Sequence, residues 1–321
     1  MPRKHQPRSG SLQFWPRKRA KKLLPSVNWQ VLEGKNSSKI SGFICYKAGM
    51  CRALVRDLTQ NSLTKNKQIV LPITIIECPP MKIFSVRFYR NNIVAKDIIS
   101  ENPDKELQRK LKLPKEQKKT AEELSEIEKK LGEFNDIRIV TYSLVKQTGI
   151  KKTPDIAEIG LSGSMNEKFE FVKSIINKEI NIKDFFAKNQ LVDVRGVTKG
   201  YGFTGTVKRF GISLRQKKSE KGQRRPGTLG PWTPSKVSFR APLAGQHGFF
   251  TRIKYNSKIV DLNEGDSMPF EIKNYGKIRT AYILVKGSVQ GPPKRQMLIT
   301  APLRSTKSSL KENFELLNLM K

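Results

Sequence analysis

The sequence predicts a mainly β fold in which an antiparallel β-barrel of six or seven strands is interrupted by an α+β insert. Three observations predict it. Short runs rich in Ile, Val and Phe alternate with turn signals at both ends of the chain. Helix signals cluster between these runs. Hydrophobic residues make up 37% of 321 residues, enough to bury a sizeable core. A closed or nearly closed barrel would bury that many short strands without leaving unpaired edges.

Seven apolar runs predict the barrel strands. The first two are separated by a polar turn and the third alternates between apolar and polar residues. In chain order, the predicted strands are 41–57, 68–78, 81–89, 191–198, 257–262, 280–289 and 296–300.

The insert is predicted from helix start and stop signals. A first helix is expected to end at Pro114. A second follows a capping box formed by Thr120 and Glu123, and a third follows the box formed by Ser164 and Glu167. The run 136–145 is apolar on both faces and predicts a buried strand. Near the C-terminus, Leu310, Phe314 and Leu317 stand at helical spacing and predict a helical tail.

Positive charge is concentrated in two segments. The chain has 62 Lys and Arg against 28 Asp and Glu, a formal net charge of +34. Residues 1–22 hold eight Lys and Arg and no acid, and residues 195–240 hold twelve against one acid. A compact fold with this excess repels itself unless a polyanion neutralises it, which favours nucleic acid or an anionic surface as partner. Residues 97–135 carry nine basic and ten acidic residues, the mixed pattern of exposed helices.

Other classes of protein are disfavoured. The most apolar stretch, 69–76, is far shorter than the roughly 20 residues that span a bilayer, and the first ten residues lack the apolar segment of a secretory signal.

Cys45, Cys51 and Cys78 form no C-x-x-C pair and are predicted to be buried thiols. With two His in the chain, no zinc site or other metal site is expected.

The central basic segment has the composition of an RNA-contacting loop. Residues 195–256 contain ten of the 22 Gly and four Pro, which exclude a long helix or a regular central strand. Phe203, Phe210, Trp232 and Phe239 punctuate the basic run. Cations suit phosphates, and flat rings suit unpaired bases.

A glycine motif over residues 200–205, G-x-G-x-x-G, keeps a rival hypothesis open: an RNA-modifying or other nucleic-acid enzyme that uses this loop. A dinucleotide fold needs an apolar helix after the motif, whereas a lysine-rich stretch containing Glu220 follows here. His247 has no nucleophile or carboxylate near it in the sequence. No catalytic residue and no cofactor are therefore expected; a chromatin-type DNA binder is a weaker third option.

Several segments are similar to those of one known family. They are PRKHQPRSGSLQFWPRKRA, GFICYKAGM, VTKGYGFTGTVKRFG, KSEKGQRRPGTLGPWTP, APLAGQHGFFTRIKYN and ILVKGSVQGPPKR. In this order they resemble the universal large-subunit ribosomal protein three family, uL3 type, in its archaeal branch. The resemblance implies a barrel like that of translation proteins, an inserted α+β domain, a basic N-terminal extension and a long basic loop that penetrates ribosomal RNA, with Trp232 at its tip.

The resemblance also implies function and partners. The expected protein is a non-enzymatic constituent of the large ribosomal subunit in the cytoplasm, which binds large-subunit (23S-type) rRNA, supports early assembly and buttresses the peptidyl transferase centre. Neighbouring large-subunit ribosomal proteins are expected partners; a membrane and a small-molecule substrate are not.

The chain departs from its relatives at some positions of this loop. Eukaryotic relatives place a methylated histidine where Ser219 and Glu220 stand, and relatives commonly have histidine where this chain has Phe250. Bacterial relatives methylate a glutamine in the context that Gln246 matches.

Taken together, residues and resemblance predict seven segments and one rRNA-binding set. The segments are an N-terminal extension (1–40), barrel parts (41–90, 188–199 and 257–302), the insert (91–187), the central loop (200–256) and the helical tail (303–321). The expected rRNA-binding residues are Arg3, Lys4, Arg8, Arg17, Lys18, Arg19, Lys199, Lys208, Arg209, Arg215, Lys217, Lys218, Lys221, Arg224, Arg225, Trp232, Arg240, Gln246 and His247.

Overall fold

A computed structural model describes residues 7–34, 39–114, 120–233 and 235–320. The chain divides into two compact units. The core unit comprises Leu23–Gly196 and Arg252–Lys321, and the cationic unit comprises Met1–Lys22 and Val197–Thr251.

Strands dominate the described residues. They are β1 (Gly42–Asp57), β2 (Gln68–Glu77), β3 (Met81–Arg90), β4 (Ile93–Ile99), β5 (Asp136–Ser143), β6 (Ile156–Gly160), β7 (Leu191–Val197), β8 (Gly200–Thr204), β9 (Gly245–Gly248), β10 (Thr251–Asn263), β11 (Tyr282–Lys286), β12 (Gln296–Thr300) and β13 (Phe314–Met320). The helices are α1 (Thr120–Glu128), α2 (Met165–Ile175), α3 (Thr206–Phe210) and α4 (Lys307–Lys311). The prediction of a mainly β chain is confirmed.

The larger sheet of the core unit has seven strands. Its strand order is β12, β7, β10, β11, β2, β1 and β13, and β12 also pairs with β1. The β1–β12 pairing is antiparallel, with Gly42 opposite Thr300 and Tyr46 opposite Gln296. Residues 42–49 of β1 are buried on both faces, Lys47 included.

A second, four-stranded sheet has the order β4, β3, β5 and β6. The prediction that 81–89 belongs with the first two strands is wrong, because β3 pairs with β4 and β5 instead. Asn91 and Asn92 both have positive φ, the geometry of a tight turn that returns the chain as β4. Phe88 of β3 packs on Phe169 of α2, with ring centroids 6.4 Å apart. Phe88 is fully buried, in a hydrophobic cluster that contains residues of both sheets.

Of the three helices predicted for the insert, one has its predicted capping box and two differ from the prediction. The capping box of α2 is confirmed: the Glu167 amide donates to Ser164 Oγ at 3.4 Å, and the Ser164 amide donates to Glu167 Oε2 at 3.3 Å. Thr120 is the first residue of α1 and its amide donates to Glu101 Oε1 at 2.6 Å, so it is not the predicted cap. The helix expected before Pro114 is a short 3-10 helix, Lys105–Arg109.

The predicted helical tail is wrong. Thr306 caps α4, which has five residues, and the chain continues as β13. β13 pairs antiparallel with residues 52–57 of β1, and Phe314 is buried. β1 has sixteen residues, of which 42–46 pair with β12. The rest of that edge would be unpaired, so β13 supplies hydrogen bonds there that a helix could not.

The three cysteines are buried free thiols, which confirms their predicted role. Burial raises the pKa of Cys51 to about 11, and it also raises the pKa of Cys78, where neighbouring Cys45 and Glu77 add to the effect. No helix among the described residues is long and apolar enough to cross a membrane.

Candidate nucleic-acid interface

The cationic unit contains the two most basic segments of the sequence. It has 19 Lys and Arg, and Glu220 is its one carboxylate side chain. Ion pairing within the unit can therefore neutralise one cation at most. Every ion pair found between described residues lies in the core unit.

An antiparallel pair of short strands, β8 and β9, frames the cationic unit. Gly200 lies opposite Gly248 and Thr204 lies opposite Gly245, with a register shift between Gly200 and Phe203. Gly202, at φ +66°, lies within that bulge. A Cβ on Gly248 would lie 2.0 Å from the carbonyl oxygen of Lys199, so this position requires glycine.

The N-terminal segment packs within the same unit through rings and cations. The guanidinium carbon of Arg17 lies 4.6 Å from the ring centroid of Trp15 and 4.6 Å from that of Phe210. Trp15 meets Phe239 edge to face, with centroids 5.2 Å apart. The amide of Ala20 donates to the carbonyl oxygen of Phe249 at 2.9 Å. Residues 7–22 and the central segment therefore form one packed structure, although they are about 180 positions apart in the sequence.

His247 lies beside an exposed ring and several cations. Its ring centroid is 4.9 Å from that of Tyr201, and the ammonium of Lys208 lies 5.1 Å from the Tyr201 centroid. Burial lowers the pKa of His247 from its usual 6.5, and the charges of Lys208, Arg209 and Arg17 lower it further. Its Nδ1 is buried without a hydrogen-bond partner among the described residues. His247 is thus a neutral ring held in a positive field.

Arg209 stabilises the unit internally. Its Nη1 donates to the carbonyl oxygen of Leu243 at 2.7 Å and its Nε donates to that of Gln246 at 3.1 Å. Its charge also lies over the Phe210 ring, 5.2 Å from the centroid. The side chain ties α3 to β9 and adds charge to the unit from a partly buried position.

Six cations line one exposed stretch, 215–225. The backbone there is held by a hydrogen bond from the Arg215 amide to the carbonyl oxygen of Gln223, and the Arg215 guanidinium donates to the carbonyl oxygen of Pro226 at 2.7 Å. All six side chains are exposed: Arg215, Lys217, Lys218, Lys221, Arg224 and Arg225.

Aromatic side chains stand exposed among these cations. Trp232 is 91% exposed, and Phe203 is 79% exposed. The carbonyl oxygen of Trp232 accepts hydrogen bonds from the amide and the hydroxyl of Ser235, which form a turn at this position. Phe210 differs from the other aromatics predicted to contact RNA because it is buried and serves the packing of the unit.

The remaining predicted residues have varied positions. Arg3 and Lys4 lie outside the described residues. Lys18 and Lys199 are exposed, Arg8 donates to the carbonyl oxygen of Arg240, and Arg19 lies 5.3 Å from the Phe249 centroid. Arg240 lies 5.6 Å from the Phe239 centroid. Gln246 Nε2 donates to the carbonyl oxygen of Gly248 at 3.0 Å.

Sequence reasoning missed Tyr201. Its ring is half exposed and links Lys208 with His247. An aromatic residue between two glycines, in a segment too glycine-rich to bury it, was the available signal.

The arrangement suits binding to a polyanion with unpaired bases. Lys and Arg side chains contact phosphates, and exposed rings stack on bases. A nucleotide fold would require the glycine motif to join a parallel strand to a long helix. Here β8 pairs antiparallel with β9 and is followed by a helix of five residues. Within the described part of the chain, no group of three or more His, Cys, Asp or Glu could hold a metal ion.

The family model of ribosomal protein L3 matches residues 1–319. The chain belongs to the ribosomal protein L3 family. Archaeal proteins named large ribosomal subunit protein uL3 are similar over nearly their whole length. That of Methanococcoides burtonii is 40% identical, covering 97% of this chain and 96% of the relative. Those of Methanocaldococcus jannaschii and Archaeoglobus fulgidus are 37% and 38% identical, covering 96% and 95% of this chain and 94% of each relative.

Membership of the L3 family confirms the resemblance found in the sequence. The match includes both segments of the cationic unit, so the interface described above belongs to the part of the chain that the family shares.

Proposed function

We propose that this chain is a structural, non-enzymatic constituent of the large ribosomal subunit that binds large-subunit rRNA, supports early subunit assembly and buttresses the peptidyl transferase centre during translation. The observation that carries the proposal is the cationic unit, with 19 cations against one carboxylate and with exposed rings between them. The similar archaeal proteins are named as components of the large subunit.

The positive charge of the unit supports a nucleic acid as the partner. Exposed Lys and Arg side chains gain most from a dense row of phosphates, because binding releases the counterions condensed on the nucleic acid. Exposed rings such as Trp232 and Phe203 add stacking on bases, each contributing on the order of 1–3 kcal/mol. The proposed rRNA-binding set is the one predicted from the sequence, with Tyr201 added and with Arg209 acting mainly through the fold of the unit.

The architecture proposed for this role is a closed six-stranded barrel with an α+β insert and a long basic loop. The pairing of β12 with both β7 and β1 supports a closed barrel, since it joins the two ends of a six-strand series. The proposed domain limits are those predicted from the sequence, with β3 moved into the insert. Trp232 is proposed to be at the tip of the loop, where Gly230 and Pro231 favour a reversal of the chain.

The rival function, an enzyme using the glycine loop, has no observation in its favour. The motif forms part of the β8–β9 strand pair and its β-bulge. Gly202 has the positive φ that the bulge requires. The proposed partners are large-subunit rRNA and neighbouring ribosomal proteins, and the proposed location is the ribosome.

The test is the salt dependence of binding to transcribed large-subunit rRNA. Reversing the charge of a pair of cations, Lys217→Glu with Lys218→Glu, should flatten the slope of log affinity against log salt by roughly one to two units. The matched control reverses Lys129 and Lys130 of the insert, which changes net charge equally. Equal effects of the two pairs, or an unchanged slope for Lys217 and Lys218, would contradict the proposal.

A further inference from the structure

The turn between β1 and β2, residues 58–67, is an ordered basic loop of the core unit, outside the cationic unit. We propose that this β1–β2 loop is a second rRNA-docking element, in which Lys65 and Lys67 bind phosphates and Leu63 packs against the RNA surface. This inference rests on the proposed function, because it names a further contact of the same partner.

Asp57 organises the loop from within. Its carboxylate is buried and accepts hydrogen bonds from the amide of Thr59 and the hydroxyl of Ser62, both at 2.9 Å, and from the hydroxyl of Thr64 at 2.5 Å. These donors hold the pKa of Asp57 well below its usual value, although burial acts in the opposite direction. The loop is therefore folded around an ionised carboxylate.

Backbone hydrogen bonds fix the two ends of the loop. The Asp57 amide donates to the carbonyl oxygen of Lys67 at 3.1 Å, and the Asn66 amide donates to that of Asp57 at 2.7 Å. The Leu58 amide donates to the carbonyl oxygen of Asn313 at 2.9 Å, next to β13. Because the loop is already ordered, binding a ligand costs little of the loop's conformational entropy.

Leu63 is held outward by this arrangement. It is 97% exposed, although its neighbours Ser62 and Thr64 turn their hydroxyls inward to Asp57. The side chain cannot fold inward without breaking those hydrogen bonds. Covering a large, exposed apolar side chain with a partner removes apolar surface from water, which favours binding.

Charge selects the class of partner. Between residues 52 and 76 the sequence has four cations and one acid, Asp57, whose carboxylate is turned inward. Arg56 pairs with Glu315 at 3.4 Å, whereas Lys65 and Lys67 are exposed with no carboxylate partner among the described residues. Two such ammonium groups, two residues apart on an ordered loop, match a phosphate backbone better than a neutral protein pocket.

The first experiment compares two doubly substituted variants of the full chain, each with two charges reversed. The affinity of each variant for transcribed large-subunit rRNA is measured over a range of salt concentrations. Lys65→Glu with Lys67→Glu should weaken binding about tenfold and flatten the log–log salt slope by about one to two units. The control, Lys129→Glu with Lys130→Glu, makes the same change in net charge at exposed sites of the insert. A loop variant that behaves like this control would overturn the inference.

A second experiment uses Asp57→Asn. This change adds one unit of positive charge, so electrostatics alone would tighten binding, whereas loss of the ordered loop would weaken it. Faster hydrogen exchange at the amides of Thr59 and Asn66, together with weaker rRNA binding, is expected. Tighter binding would overturn the role of the ordered loop.

A third measurement tests Leu63 and the class of partner. Leu63→Ala should weaken rRNA binding several-fold without changing the salt slope, and rRNA should protect amides 58–67 of the unsubstituted chain from exchange. Protection by purified large-subunit proteins but not by rRNA would identify a protein contact and overturn the inference. If the Lys217 and Lys218 reversal still weakens rRNA binding while the loop variants do not, the inference fails and the proposed function stands.

Discussion

The guanidinium carbon of Arg17 lies 4.6 Å from the ring centroid of Phe210, and it lies at the same distance from that of Trp15. Arg17 comes from the N-terminal segment and Phe210 from the end of α3. A cation held between two rings joins two segments that are far apart in sequence and that share an excess of positive charge. Attraction between the cation and the aromatic faces offsets part of their mutual repulsion.

Replacing Arg17 with Ala should release residues 7–22 from the cationic unit. A cation–π contact contributes about 0.5–2 kcal/mol, and this side chain makes two. Hydrogen exchange in that segment should therefore rise several-fold in the free protein. Lys18→Ala is the matched control, because Lys18 is an exposed cation next in sequence. Equal exchange in the two variants would show that the stacked cation does not hold the segment.

Trp232 and Trp29 should respond oppositely to truncation. Trp29 is 5% exposed and packs on Gly42 and Gly160, so Trp29→Ala should cost about 3–5 kcal/mol of unfolding free energy. Trp232 is 91% exposed, so Trp232→Ala should leave that free energy unchanged within about 0.5 kcal/mol. It should instead impair subunit assembly or peptide-bond formation by reconstituted ribosomes. Normal function of ribosomes with the Trp232 variant would argue against a role at the loop tip.

The pKa of His247 should lie below 6.5 in the free protein, mainly because of burial and also because Lys208, Arg209 and Arg17 are near. At a pH about one unit or more above 6.5, the ring is neutral in the folded and unfolded states and does not affect stability. As pH falls below 6.5 the unfolded chain takes up the proton first, so stability is lost until the folded pKa is passed.

Titration by NMR in a His5→Gln background, where His247 is the one histidine, measures this pKa directly. Adding rRNA should raise it, because phosphates neutralise the surrounding cations. His247→Gln should remove the contribution of this ring to the loss of stability below pH 6.5. A pKa at or above 6.5 without rRNA would mean that the ring is not held in a positive field.

The capping box of α2 should stabilise the insert. Ser164→Ala removes the acceptor for the Glu167 amide and should cost about 1 kcal/mol of unfolding free energy, measured in urea. The matched control is Ser174→Ala, near the other end of α2, where the hydroxyl donates to the carbonyl oxygen of Phe171. It should cost little, because alanine favours the helix. Equal costs would show that the cap contributes nothing specific.

Much of this fold could be predicted because it depends on local pattern. The Ile-, Val- and Phe-rich run of β1 and the Ser164 capping box each predict a conformation from a few neighbouring residues. The uneven charge could likewise be read from the chain, since 62 cations against 28 acids is a matter of composition. Composition also indicated the cationic segments of the candidate interface.

Pairing partners could not be predicted in the same way. The alternation in β3 shows that it is a strand but not which sheet it joins. Its partners, β4 and β5, are known only from the folded chain. The spacing of Leu310, Phe314 and Leu317 fits a helix, yet this segment forms β13. As a strand it supplies backbone hydrogen bonds to residues 52–57 of β1, which a helix could not do.

The sequence by itself indicated that the chain is mainly β, that its thiols are buried and that its excess of positive charge is concentrated in two segments. Only the tertiary structure decided which cationic side chains remain exposed and able to bind an anion. Arg17 lies between two rings and Arg209 binds backbone carbonyls, whereas Lys217 and Lys218 stay exposed. All four look alike in a count of charges. They differ because burial and hydrogen bonding depend on neighbours that only the folded chain brings together.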